Sequence, residues 1–78
     1  MKKEKSIFRS DYRLVIDWLS TKRQVFGITQ QQLAQKLKKP QSFVSKYENC
    51  ERRLDVVEFL EICRIMDINP QEIFDKIR

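Results

Sequence analysis

Thr29-Gln30-Gln31-Gln32-Leu33-Ala34-Gln35-Lys36-Leu37-Lys38-Lys39-Pro40-Gln41-Ser42-Phe43-Val44-Ser45-Lys46-Tyr47-Glu48-Asn49 reads as two short helices separated by a tight turn. Thr29 is a good N-cap, and Gln32, three residues on, completes a capping box. Leu33, Ala34 and Leu37 then form one apolar stripe at helical spacing. Lys38-Lys39-Pro40 breaks the run, because the residue before a proline is pushed out of the helical region. A second helix opens at Gln41. Val44 and Tyr47, three apart, mark its inner side, and Gln41, Ser42, Ser45 and Lys46 fall opposite them. That outer set carries amide, hydroxyl and ammonium groups, the chemistry that hydrogen-bonds base edges and phosphates. The first helix is built to be held and the second to touch something.

Composition sets the frame around this pair. The chain has 78 residues with 1 glycine and 2 prolines, which suits one all-helical domain with few special turns. A domain this small buries only about 60% of its unfolded surface, so a partner surface can add to its stability. Lys+Arg 16 against Asp+Glu 11 gives a net charge of +5, which favours a polyanion, although many solvated surfaces carry as much. With 0 histidines the commonest general base near neutral pH is absent. Neither cysteine has an activating neighbour, no Gly-rich phosphate loop appears, and the carboxylates are scattered over helix surfaces and caps. An enzyme is not expected, nor a cofactor. Cys50 and Cys63 without histidine cannot supply four zinc ligands, so no metal is expected either. Two such cysteines suit a reducing cytoplasm better than a disulfide scaffold. Met1-Lys2-Lys3-Glu4-Lys5 is followed by no apolar h-region, and no apolar run approaches a membrane span. The expected location is cytoplasmic.

Residues 1–9 form a basic lead-in whose only apolar pair is Ile7 and Phe8. It reads either as a mobile, frayed terminus or as an arm lying along a nucleic-acid backbone. The domain proper is expected over 10–78. Ser10 can cap its first helix, with Asp11 in the first turn. Tyr12, Val15, Ile16 and Leu19 repeat at three and four, Arg23 and Phe26 continue the line, and Leu14 and Trp18 lie at its side. Gly27 ends the helix where a left-handed backbone is needed. Beyond Asn49 comes the polar connection Cys50-Glu51-Arg52-Arg53-Leu54. Asp55 caps a fourth helix with a stripe of Val56, Phe59, Leu60, Cys63 and Met66, flanked by Ile62. Cys63 there reads as a small hydrophobe. Asn69-Pro70-Gln71-Glu72 is a cap, an N1 proline and a capping-box glutamate for a last helix. Its Ile73, Phe74 and Ile77 exceed what one short helix needs to dock, and are the candidate homodimer contact.

Thr-Gln-x-x-Leu-Ala-x-x-Leu, the turn, and Gln-Ser-x-Val-Ser-x-x-Glu-Asn together resemble the helix-turn-helix of the lambda-repressor-like (Cro/XRE-type) DNA-binding domains. The resemblance runs from about Arg23 to Phe74 with its spacing kept, and implies a compact five-helix all-α domain. It implies roles position by position. Gln41, Ser42 and Lys46 match positions that read base edges in the major groove. Gln30 matches a glutamine that contacts a phosphate and braces the second helix. Asn49 matches a backbone contact just past the recognition helix, Arg52 and Arg53 lie in the loop laid along the phosphates, and Ser45 joins this backbone set. Arg23 and Glu48 match positions that form a structural ion pair. Phe43 lies between the exposed face and the core, and has two readings: packing beside Tyr47, or an apolar contact to thymine methyls among the base readers. Lys38, Cys50 and Asp67 depart from the pattern, standing where glycine is usual, and a left-handed backbone costs such residues about 1 kcal/mol or more. Pro40 occupies the usual Ser/Thr cap position.

The expected function is sequence-specific binding of double-stranded DNA by a bacterial or phage transcriptional regulator, acting as a repressor. A homodimer on a pseudo-palindromic operator is expected, because one recognition helix reads few base pairs and a second half-site about 34 Å away multiplies specificity. The alternative is a protein-interaction module, such as an antitoxin-like subunit that masks a partner protein.

Overall fold

The computed structural model describes the backbone of residues 2–77 and the side chains of residues 11–77. Among these the chain is all-helical: α1 Lys2–Val25, α2 Gln30–Leu37, α3 Gln41–Glu48, α4 Val56–Met66 and α5 Gln71–Phe74. α1 has 24 residues, about 36 Å of helix, in a molecule measuring 41 × 24 × 21 Å. Its start is corrected from Ser10 to Lys2. No glycine or proline interrupts residues 2–26, and a serine within such a run does not by itself stop a helix.

The core lies where all five helices meet. Ile16, Trp18 and Leu19 come from α1, Leu33 and Ala34 from α2, Phe43, Val44 and Tyr47 from α3, Phe59, Ile62, Cys63 and Met66 from α4, and Ile73 from α5. Trp18 therefore belongs to the core, whereas Leu14 beside it is exposed. Burial pushes the Cys63 thiol up to about 11, and it raises the Tyr47 phenol as well. Both are neutral packing groups. The stripe expected on α4 is rotated. Ile62, placed at its flank by sequence, is fully buried, while Val56 and Leu60 point outward.

Four helix–loop junctions close in the same way. A residue at positive φ ends each of α1 to α4, and two N–H groups turn back onto the last turn. Gly27 donates to Gln24 O and Ile28 to Arg23 O, both at 3.0 Å. The same pair recurs at Lys38 and Lys39, at Cys50 and Glu51, and at Asp67 and Ile68. This is the Schellman pattern. Lys38, Cys50 and Asp67 hold φ of 59°, 61° and 56° without the benefit of glycine. The turn geometry is kept despite the departures, and the cost falls on stability.

At the N-termini, Thr29 with Gln32 and Asp55 with Glu58 form complete capping boxes. Pro40 supplies no side-chain cap to α3. At α5 the expected box is corrected. Asn69 Oδ1 accepts from Gln71 N–H at 3.0 Å, but Glu72 turns away to meet Lys22 Nζ at 3.1 Å. Lys22 holds the Glu72 carboxyl below its usual range. That ion pair ties α5 to α1. α5 ends at Phe74, so Ile77 lies beyond it.

Candidate nucleic-acid interface

α3 is placed by its own apolar side. Val44 and Tyr47 are fully buried, and this leaves Gln41, Ser42 and Lys46 exposed on the opposite side, with Ser45 half-buried and Asn49 exposed just after the helix. Positions four apart on a helix are neighbours, so Gln41–Ser45 and Ser42–Lys46 make one continuous polar strip. The C-terminal end of α3 is clamped by charge. Arg23 Nε donates to Glu48 Oε2 at 2.7 Å and Nη2 to Oε1 at 3.0 Å. Arg23 Nη1 also donates to Ile28 O at 2.8 Å. The side chains of Arg23 and Glu48 are only 12% and 7% exposed. Gln30 Nε2 donates to the same Glu48 Oε1 at 2.9 Å. One carboxylate thus joins α1, α2 and α3, and fixes Gln30 beside the strip.

Two expected contacts are corrected. Phe43 is 8% exposed, and its ring packs edge-on against Tyr47 with centroids 5.7 Å apart. Lys39 and Arg52 cover the ring at 5.3 and 4.8 Å. Phe43 is a core residue shielded by two cations rather than a reader of thymine methyls. Arg52 is also engaged: Nη1 and Nη2 donate to the two Glu58 oxygens at 3.0 and 2.9 Å. Arg52 and the Asp55 backbone N–H push the Glu58 carboxyl down to about 2. A guanidinium held bidentately by a carboxylate carries little net charge to a phosphate. Arg53 differs, for its guanidinium lies 4.5 Å from the Tyr12 ring centroid.

The third correction concerns the candidate dimer contact. Ile73 is 1% exposed and belongs to the domain's own core, while Phe74 is exposed and its ring lies tilted against Phe59 with centroids 5.9 Å apart. Sequence reasoning missed Val57, which lies off every apolar stripe and is exposed with Val56 and Leu60 on α4. Beside them lies a groove of about 260 Å³ between α1, α4 and α5, walled by Tyr12, Leu54, Val56 and Phe74.

The formal charges divide along the chain. Residues 29–53 carry six Lys/Arg against two Asp/Glu, and residues 54–77 carry six Asp/Glu against two Lys/Arg. The cationic half is the one that contains α3. Among the described residues no group of side chains could hold a metal ion, and no helix is long and apolar enough to cross a membrane.

A helix-turn-helix family model matches residues 19–73. The solved structure of an XRE-family like protein from Pseudomonas syringae pv. tomato str. DC3000 is 44% identical, with a TM-score of 0.90 over 99% of this chain and 94% of that one. This chain belongs to the XRE-type helix-turn-helix family. No curated protein matches it. Membership makes the fold that of a DNA-binding regulator and not typically that of an enzyme. The family match begins within α1, so Tyr12 and the turns before it lie outside the matched segment.

Proposed function

We propose that the protein is a sequence-specific regulator of transcription, a repressor, that inserts α3 into the major groove of double-stranded DNA. The observation that carries this is the α3 strip: polar groups suited to base edges, on a helix whose other side is buried and whose end is clamped by Arg23 and Glu48. Gln41 stands at the N-terminal end, where a side chain enters the groove first, and its amide can pair bidentately with adenine N6 and N7. Ser42 lies beside it, and Lys46 further along can reach guanine O6 or N7. Gln30, Ser45, Asn49 and Arg53 are the backbone positioners.

Selection of bound sites from a random duplex pool supplies the preferred sequence, and Gln41→Ala then tests the assignment. The variant should lose about 1–3 kcal/mol on the preferred site and little on random DNA. Equal losses on both would mean that α3 is not the helix in the groove.

The same reading places a second copy on the α4–α5 face, because one recognition helix reads few base pairs and a paired half-site multiplies specificity. Val56, Val57, Leu60 and Phe74 offer the exposed apolar surface for it. That surface also favours the alternative function, in which an antitoxin-like subunit masks a different protein. Self-association in the micromolar range supports the dimer. A strict monomer that still binds duplex cooperatively moves the contact to the DNA-bound state.

A further inference from the structure

Arg52 and Arg53 are adjacent in the loop that follows α3, and the fold treats them differently. Arg52 is neutralised by Glu58 and lies against Phe43. Arg53 is exposed and meets no carboxylate within ion-pair distance among the described residues. What it meets is the ring of Tyr12, 4.5 Å from the guanidinium carbon. Tyr12 also accepts a hydrogen bond from Leu54 N–H at 3.3 Å, across 42 residues of chain. Before that point the loop is held by Glu51 N–H and Arg52 N–H on Lys46 O. After it comes the Asp55–Glu58 capping box. Tyr12 therefore supports the middle of the loop from a part of α1 that precedes the family match.

We propose that Tyr12 is a positioning residue for nucleic-acid binding, one that holds the loop at Leu54 and presets the Arg53 guanidinium for a backbone phosphate. The inference rests on the DNA-binding reading above. A cation over an aromatic face is attracted by the ring quadrupole, while its N–H groups stay available at the edge of the guanidinium plane. An arginine already placed gives up less side-chain freedom when a phosphate arrives, and this is where a preorganised contact gains affinity. Glu58 completes the arrangement by withholding the neighbouring charge, so that one of the two arginines is presented.

A double-mutant cycle on a random duplex, titrated over a range of salt, tests this. Arg53→Ala should lower the salt slope by about one unit per bound chain. Tyr12→Leu should weaken binding about two- to five-fold while Arg53 is present, and not at all in the Arg53→Ala background. Tyr12→Phe keeps the ring under Arg53 but loses the hydrogen bond from Leu54 N–H, and should fall between the parent and Tyr12→Leu. An equal loss from Tyr12→Leu in both backgrounds, or no loss in either, overturns the proposal. A readout without DNA guards against a variant that folds poorly. In the parent the Arg53 side-chain protons should be shifted upfield by the Tyr12 ring, and shifts at the values of a free arginine overturn the proposal as well. Failure of the parent to bind any duplex at low salt would remove the DNA reading itself, whereas failure of the inference leaves the parent binding normally.

Discussion

α3 and α4 follow one another in the chain and spend their apolar residues in opposite ways. α3 buries Phe43, Val44 and Tyr47 and turns only polar groups outward. α4 buries Phe59, Ile62, Cys63 and Met66, and still leaves Val56, Val57 and Leu60 at 68%, 63% and 40% exposure. The chain segments that carry them differ in charge sign as well, cationic over residues 29–53 and anionic over residues 54–77. A polar helix beside cations suits a hydrated polyanion, since phosphate contacts need charge and base edges need donors and acceptors. Exposed valines and a leucine beside carboxylates suit another protein surface. The two faces can be tested separately, because each is anchored by different residues.

The largest effect should come from breaking the anchor of α3. Glu48→Ala leaves Arg23 in place without a counter-charge and should cost about 3–5 kcal/mol of stability. For a domain of this size the melting temperature should then fall by more than about 12 °C. A loss under about 1 kcal/mol would mean that the apolar side of α3 suffices to hold it.

The α4 face is probed by Val57→Lys. It should weaken self-association by about 1–2 kcal/mol and leave the stability of the single domain within about 0.5 kcal/mol, because the residue packs on little. Sedimentation at several micromolar concentrations reads the first quantity and denaturant melting the second. Unchanged self-association would clear this face of the role.

A smaller change tests the turn that sets α3 relative to α2. Lys38→Gly relieves a left-handed backbone at φ 59° and should stabilise the domain by roughly 0.5–1 kcal/mol, after the extra freedom of glycine in the unfolded chain is subtracted. A denaturant midpoint that stays put or falls would show that the lysine side chain offsets its own strain.

The smallest effect belongs to Glu58. Its carboxyl titrates at about 2 in the fold against an ordinary 4.5. The stability it contributes is therefore present above about pH 4.5 and is lost as the pH falls towards 2. Glu58→Gln should flatten the acid limb of the stability curve over that window and change little at neutral pH, where a surface pair contributes little. It should also release Arg52 and steepen the salt dependence of duplex binding by up to about one unit per chain. An unchanged salt slope would show that Arg52 reaches no phosphate even when freed.

Much of this architecture is written locally in the sequence. The capping boxes at Thr29 and Asp55, the break at Lys38-Lys39-Pro40 and the stop at Gly27 involve residues within a few positions of each other. Their physics is that of one turn of backbone seeking hydrogen-bond partners. The inner side of α3 was equally legible, because Val44 and Tyr47 lie at helical spacing with polar residues opposite. The roles of Gln41, Ser42 and Lys46 come from resemblance joined to that spacing.

Tertiary structure alone decided the residues at the edges of the stripes. Ile62 rather than Leu60 enters the core, Phe43 packs inward, and Ile73 is used up at home while Phe74 is left outside. Periodicity locates the middle of an apolar face but not its margins, which depend on how closely the neighbouring helix approaches. The partners of Arg52 and Arg53 were beyond reach for the same reason. Two adjacent arginines look alike in sequence, and only the fold brings Glu58 to one and Tyr12, from the far end of the domain, to the other. Local hydrogen bonding and hydrophobic spacing fix helices within a few residues, whereas the fate of each side chain is set by whatever the folded chain carries to within a few ångströms of it.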